Sequence, residues 1–278
     1  MIRALRLFTL AASAACVATA APVLAAQPAA KPAAKPGFAQ LPDWSGTWTR
    51  ASGGFFEQKF DAPEIPAPPA DSPLNFPPYT PKYQAIFEEN LKKIAADRYP
   101  DPVNFCGTPI GWPRVLATPD GYEFIVRPEQ SWILSENGPN IIRIYTDGRS
   151  HPAPEDMWPT YTGDSVGHWE GDTLVFDSIG MKGYPATIIG RNGVVVSPSL
   201  HTVTRVKKMP DGRLRFQVWM EDKEAFTRPW TIVSYFKRFP EGTRIYDYAC
   251  AENNRNPVTE DGRTLTRDTS GNIIDKVN

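Results

Sequence analysis

Imidazole is the side chain that exchanges protons near neutral pH, and this chain carries three histidines, His151, His168 and His201. His168 opens the run His168-Trp169-Glu170-Gly171-Asp172, an imidazole with two carboxylates close behind it. Such a set near a strand end could act as a general acid-base group, with Asp172 or Glu170 orienting the ring. The same run also reads as a tight turn between strands, with Gly171 at positive φ and the two acids bonded to their own backbone. His201 stands at the start of a strongly patterned strand. Facing inward it would be a proton-transfer group, or else a buried, hydrogen-bonded side chain with no chemical task. No two of the histidines are close enough in sequence to form a local zinc pair, so no metal site is assigned.

Other chemistries leave no signature. Gly-x-Ser-x-Gly, Ser-x-x-Lys and a phosphate-cradling glycine loop are all missing, and Ser165 precedes a strand and turn rather than joining a strand to a helix. No cofactor is implied. Gly180, Gly183, Gly190 and Gly193 are too widely spaced for a nucleotide and mark a loop over one end of the fold. Aromatic residues recur near the ends of the expected strands. Trp230, Trp169, Trp132 and Tyr161 could line a pocket for a flat hydrophobic molecule, or simply fill the core. Arg228, beside Pro229 and Trp230, could clamp a ligand carboxylate or pair with a nearby acid.

The N-terminus constrains the setting. A basic MIRALR flank, an apolar run from Leu7 to Val23 and the small residues Leu24-Ala25-Ala26 read as a secretory signal peptide over 1–26, cleaved near Ala26, which places the mature protein in the periplasm or outside the cell. Cys16 lies inside that leader, in a poor lipoprotein context. In an oxidising compartment Cys106 and Cys250 become a disulfide pair. The 30 basic and 31 acidic residues leave no field to gather nucleic acid, and no membrane span is read beyond the leader. The 29 prolines and 12% aromatic content suit a β-rich, loop-rich secreted domain.

Residues 27–40 read as a flexible linker, and 41–255 as one β-barrel domain. A proline-rich stretch, 63–81, wraps the outside. Thr80 as cap, Pro81 at the first position and the spacing of Tyr83, Ile86, Phe87, Asn90, Leu91 and Ile94 predict a helix over 80–97, packed on the sheet. Strands are predicted near 44–48, 123–126, 131–134, 141–145, 173–178, 200–209, 213–220, 230–239 and 243–248, with turns at Asp147-Gly148, Pro210-Asp211-Gly212 and Pro240-Glu241-Gly242. Eight or nine antiparallel strands on short turns close on themselves to hide their edges, which gives a lipocalin-like barrel, or a sandwich. The tail, 256–278, is expected to be loosely ordered.

The stretch Ser165-Val166-Gly167-His168-Trp169-Glu170-Gly171-Asp172-Thr173-Leu174-Val175-Phe176-Asp177-Ser178 resembles the hallmark of a large family of secreted bacterial proteins. Further pieces are similar to the same family: Pro42-Asp43-Trp44-Ser45-Gly46-Thr47-Trp48, Cys106-Gly107-Thr108-Pro109, Trp112-Pro113-Arg114, Arg143 to Arg149 with His151-Pro152, Leu200-His201, Thr227-Arg228-Pro229-Trp230 and Cys250 to Asn254. The resemblance implies an exported, mostly β domain and no particular reaction. Relatives carry a Trp-Leu-Asp segment and a His-Ser-Glu triplet before the Leu-His pair. This chain instead has Ala186-Thr187-Ile188-Ile189-Gly190-Arg191 and Val196-Ser197-Pro198-Ser199.

Two functions follow. One is a barrel that binds a small hydrophobic or aromatic molecule, with Arg228 and His201 orienting its polar end. The other is a lyase, isomerase or hydrolase without cofactor, in which His201 or His168 moves a proton. Oligomeric state is not legible.

Overall fold

Nine β-strands close into a barrel in the order β1 to β9 in the computed structural model. They are β1 (Thr47–Arg50), β2 (Gly121–Val126), β3 (Gln130–Ser135), β4 (Asn140–Tyr145), β5 (Asp164–Glu170), β6 (Thr173–Ile179), β7 (His201–Lys208), β8 (Leu214–Glu221) and β9 (Trp230–Arg238). The structure describes residues 36–51, 76–96, 98–105, 108–137, 140–190, 192–246 and 248, together with 257, 259, 260, 265, 270, 272 and 273.

Every neighbouring pair is antiparallel except β4 and β5, which run parallel through Ile144 with Ser165 and Tyr145 with Val166. The exception is a matter of parity. Strands that alternate up and down can close on themselves only if their number is even, so nine strands need one like-directed pair. A parallel pair cannot be joined by a hairpin. The chain therefore crosses from β4 to β5 through residues 146–163, which carry a 3₁₀ turn at Pro154–Asp156. The expectation of a uniformly antiparallel barrel is corrected here, and the crossover becomes important because it carries His151.

Alternation along the strands divides interior from exterior. In β8 Leu214, Phe216, Val218 and Met220 are buried, while Arg215, Gln217, Trp219 and Glu221 are only partly covered. Phe124, Phe216 and Phe236 pack ring to ring inside, with centroids 5.1 to 5.5 Å apart; each such pair contributes about 0.5–1.5 kcal/mol beyond its burial. One end of the barrel is stoppered by Trp112, whose indole N–H donates to Thr202 Oγ1 at 2.9 Å and whose ring packs on Phe176. Trp44 covers the other end, 5.5 Å from Trp169. Beneath it, side chains including Phe124, Ser131, Leu174 and Phe216 enclose a void of only about 10 Å³.

The helix α1 spans Pro81–Ala95, with Pro81 in its first turn and Lys92 and Lys93 in its last. There proline needs no N–H partner and cations oppose the helix dipole. Its face does not lie on the sheet as predicted. Asn90 donates to the Gly193 carbonyl at 3.0 Å. Tyr79, just before the helix, packs on Tyr83, Phe87 and Phe226 and its hydroxyl bonds both N–H and C=O of Val195. Burial raises the Tyr79 phenol well above its ordinary pKa, so it stays a neutral donor and acceptor. The helix thus braces the long loop between β6 and β7, the segment that leads into His201.

Two further contacts fix that loop. Gly183 lies so close to the next turn of chain that an added Cβ would sit 2.2 Å from the Ser197 carbonyl carbon and 2.3 Å from Pro198 N. Both atoms are backbone, so no side-chain rotation relieves the clash. Gly183→Ala is expected to cost about 1–3 kcal/mol in urea unfolding; an unchanged midpoint would show that the loop shifts freely. Deeper in, Arg114 and Asp101 form a two-pronged buried ion pair at 2.8 and 2.7 Å, and Arg114 also donates to the Ile188 carbonyl.

Three other expectations change. The described residues 243–246 and 248 form no strand; the Pro240-Glu241-Gly242 turn leads to irregular chain over 243–246, and Tyr248 makes an isolated bridge to Asn137. β5 was legible only as the strand implied before the Gly171 turn. Residues 38–40, read as tether, form a 3₁₀ turn. The signal peptide, residues 63–75 of the proline-rich stretch, Cys106 and Cys250 lie outside the described residues. Of the tail, Leu265 is buried and its N–H donates to the Pro257 carbonyl.

Candidate functional site

On the outer surface of the barrel, the crossover and three strand ends bring together two histidines and two aspartates that are far apart in sequence. Buried Ser165 and Trp169 of β5 face the lumen, as do Phe176 and Ser178 of β6 and Thr202 and Thr204 of β7. Asp164, Asp177 and His201 have the opposite parity and point outward. His151, from the crossover, lies over them. Its Nδ1 is 2.5 Å from Asp164 Oδ1 and its Nε2 is 2.9 Å from Asp177 Oδ2. The same Asp177 oxygen lies 3.3 Å from His201 Nε2.

The geometry assigns the ring protons. A carboxylate only accepts, so His151 serves as a two-ended donor between Asp164 and Asp177. His201 donates from Nε2, and in the neutral ring Nδ1 then carries the lone pair. No partner for that Nδ1 exists among the described residues. Exposure grades along the chain of contacts, from 16% for the His151 side chain to 36% for His201. One end is a shielded clamp and the other is open.

What His201 opens onto is a depression of about 490 Å³, lined by Ser199, His201, Glu221, Lys223 and Glu224. Trp219, on the same outer face of β8, stands edge-on to the imidazole with centroids 6.2 Å apart. The walls of the depression are tied together by Asp222, a buried carboxylate. It accepts from Ser197 N–H and Ser197 Oγ at 2.7 Å each, and from the N–H groups of Glu224 and Ala225 at 3.2 and 2.9 Å. Ser197 Oγ in turn accepts from Ser199 N–H. Glu224 is committed to Lys82 at 2.6 Å and to the Tyr83 hydroxyl at 3.3 Å; burial and that carboxylate push the Tyr83 phenol up to about 12.

The expected site residues separate into different places. His201 points outward rather than into the barrel. His168 and Glu170 pair with each other at 3.1 Å further along β5, and Glu170 also takes Arg205 at 2.6 Å, which holds its carboxyl below the usual range. Asp172 meets Lys207 at 3.3 Å. The Gly171 turn itself has the positive φ foreseen, 61°, but its acids bond side chains across strands. Trp230 is core, packed on Phe226. Trp169 is core beside Trp44. Trp132 pairs across strands with Arg143 and Ile125 on the outer face. Tyr161 lies under Lys182, and Arg228 is exposed, 3.5 Å from the Pro229 carbonyl. These five do not share a wall.

Asp177 and Asp164 are the residues that pattern reading passed over. Asp177 carried a usable signal, because aspartate is disfavoured in strands and here it directly follows Thr173-Leu174-Val175-Phe176, its cross-strand neighbours being Val166 and Val203. Burial pushes the Asp177 carboxyl up, but the hydrogen bonds and charge of His201 and His151 outweigh this and hold it below the ordinary aspartate value. A lowered folded-state pKa means that the stabilisation is complete above the unfolded value near 3.8 and is lost as pH falls through the folded one. Asp177→Asn is therefore expected to lower the urea midpoint at pH 6–7, and the gap from the natural protein should close as pH falls below about 4. A gap that persists unchanged at pH 2.5 would place its origin elsewhere.

No family model matches this chain, and neither does any curated protein. Among the described residues no group of three or more histidine, cysteine or acidic side chains is arranged to hold a metal ion, and no helix is long and apolar enough to cross a membrane.

Proposed function

We propose that the protein is an acid-base catalyst that works without a cofactor, of the lyase, isomerase or hydrolase type, with its centre on the outer face of the barrel. The observation that carries this is the Asp164, His151, Asp177, His201 chain of contacts ending at a bare imidazole nitrogen on a depression. His201 Nδ1 takes the substrate proton. Asp177 orients the ring and stabilises the charge that develops on it, and His151 with Asp164 fixes Asp177. A depression of about 490 Å³ accommodates a small polar molecule. His151, Asp177 and His201 also fall in three separate segments that carry the family resemblance. The leader sequence supports a periplasmic or secreted setting.

Mass-mapped carbethoxylation tests the nitrogen. His201 should be modified faster than His151, whose two nitrogens are both engaged; equal rates would overturn the assignment. Proton transfer is tested in D₂O on a small-molecule extract of the source cells. The reading requires a compound that gains carbon-bound deuterium or is cleaved with the natural protein and not with His201→Ala, and it is wrong if the two give the same spectrum.

A second reading, binding of a small hydrophobic or aromatic molecule, is favoured by a different observation. A groove of about 560 Å³ runs between the segment before β1 and strand β2, at the barrel end covered by Trp44.

A further inference from the structure

Three buried polar groups near the Trp44 end of the barrel have no hydrogen-bond partner among the described residues: the indole N–H groups of Trp44 and Trp169, and the Ser131 hydroxyl. All three residues are at most 4% exposed. Buried polar groups in folded proteins are nearly always paired, and an unpaired one costs free energy that a suitable acceptor recovers. They are also close together. Trp44 and Trp169 are in ring contact, and Trp44 and Ser131 both line the internal void of about 10 Å³, which is room for a single water.

Trp44 belongs to two spaces at once. With Phe124 and Val126 it lines both that void and the outer groove of about 560 Å³. The groove is the size of a small-molecule site and is largely apolar at its mouth, where Phe38, 61% exposed, lies under the Arg127 guanidinium at 5.0 Å. Of its polar lining, Asp43 is committed to Arg238 at 3.0 Å and to Ser45 Oγ at 2.5 Å.

From this we infer that groove and void are two halves of one ligand site, with the Trp44 indole as the partition between them. The ligand is a flat aromatic molecule bearing a carbonyl oxygen. Its ring lies in the groove between Phe38 and β2. Its carbonyl enters beside the Trp44 indole, which turns but stays in the site, and accepts the N–H groups of Trp44 and Trp169. A neutral acceptor matches these donors, which are themselves buried and neutral. The inference rests on the binding reading and is independent of the His201 site, which occupies the other end of β7.

The test uses the full mature chain and two probes of one shape, 2-acetonaphthone and 2-ethylnaphthalene. Nitrogen-proton spectra of the tryptophan indoles should show the Trp44 and Trp169 signals moving downfield with the ketone, each signal being assigned by its Trp→Phe variant. The ketone should bind at least about tenfold more tightly than the hydrocarbon, and Trp44→Phe should abolish that preference. Equal binding of the two probes, or shifts confined to other indoles, overturns the ligand class while leaving a binding groove in place. No binding of either at millimolar concentration overturns the inference and the binding reading together. Because the indole shifts are measured on the natural protein, they decide the matter even if Trp44→Phe does not fold.

Discussion

Arg114→Met is expected to lower the free energy of unfolding by about 3–5 kcal/mol, the largest single-site loss in the molecule. The guanidinium and the Asp101 carboxylate are almost entirely buried, with side-chain exposures of 6% and 1%. Removing the cation strands a charge that has been taken out of water and has no counter-ion. It also frees the Ile188 carbonyl, which accepts from Arg114 at 2.9 Å. The pair itself is not worth that much, since the desolvation cost of two buried ions offsets most of their attraction. Arg114→Met combined with Asp101→Asn should therefore be more stable than Arg114→Met alone, because the neutral amide keeps the Val103 N–H bond that Asp101 makes at 3.1 Å without an orphaned charge. Equilibrium unfolding in urea of the two single variants and the double variant closes the cycle. Strict additivity would show that the two side chains do not act as a pair.

His201→Ala is expected to reduce kcat/KM by about 10²–10⁴ for the substrate revealed in D₂O. The loss should fall on kcat, because the imidazole acts when the proton moves and contributes little of the depression's wall. Added imidazole should restore part of the rate to His201→Ala, since the missing group is a base at the end of a cavity its own removal has opened. Asp177→Asn should lower kcat without such rescue, because the amide leaves the ring in place but no longer offers the negative charge that stabilises its protonated form. An unchanged kcat in His201→Ala would remove His201 from the chemistry altogether and reduce the network to a clamp on the crossover.

Much of the barrel was legible because its strands obey a period of two. Leu214, Phe216 and Val218 alternate with Arg215 and Gln217, and Asp211-Gly212 closes the hairpin in front of them, with Gly212 at φ 85°. Burial of one face leaves such a strand no other register. Where a strand is buried on its polar-looking side or follows a turn without a partner, the pattern misleads. Thr243 to Tyr248 carries the β-favouring residues Thr243, Ile245, Tyr246 and Tyr248, but Arg50 and Trp48 of β1 already occupy the hydrogen-bonding edge of β9. Closure leaves no edge for a tenth strand.

The candidate site was legible in its residue types and not in its membership. His201 was singled out for its place at the start of a strand, and that place is what puts it on the depression. Its partners could not be found by spacing. Asp177 reaches it across the β6 and β7 ladder, and His151 arrives from a crossover whose existence follows from the odd number of strands.

By itself, then, the sequence determined the alternation that builds a closed barrel, the glycine turns that connect it, the helix that opens on Pro81, though without the Thr80 side-chain cap, and the shortage of net charge that argues against nucleic acid. Those properties are local, or sums over the chain, and need no knowledge of which strand lies beside which. The tertiary structure alone decided that His201 faces outward, that one aspartate oxygen serves two histidines, and that the tryptophans divide between core, outer face and a partition with unpaired donors. Each of these depends on strand parity and closure, which set neighbours from opposite ends of the chain side by side and have no counterpart in any short window of residues.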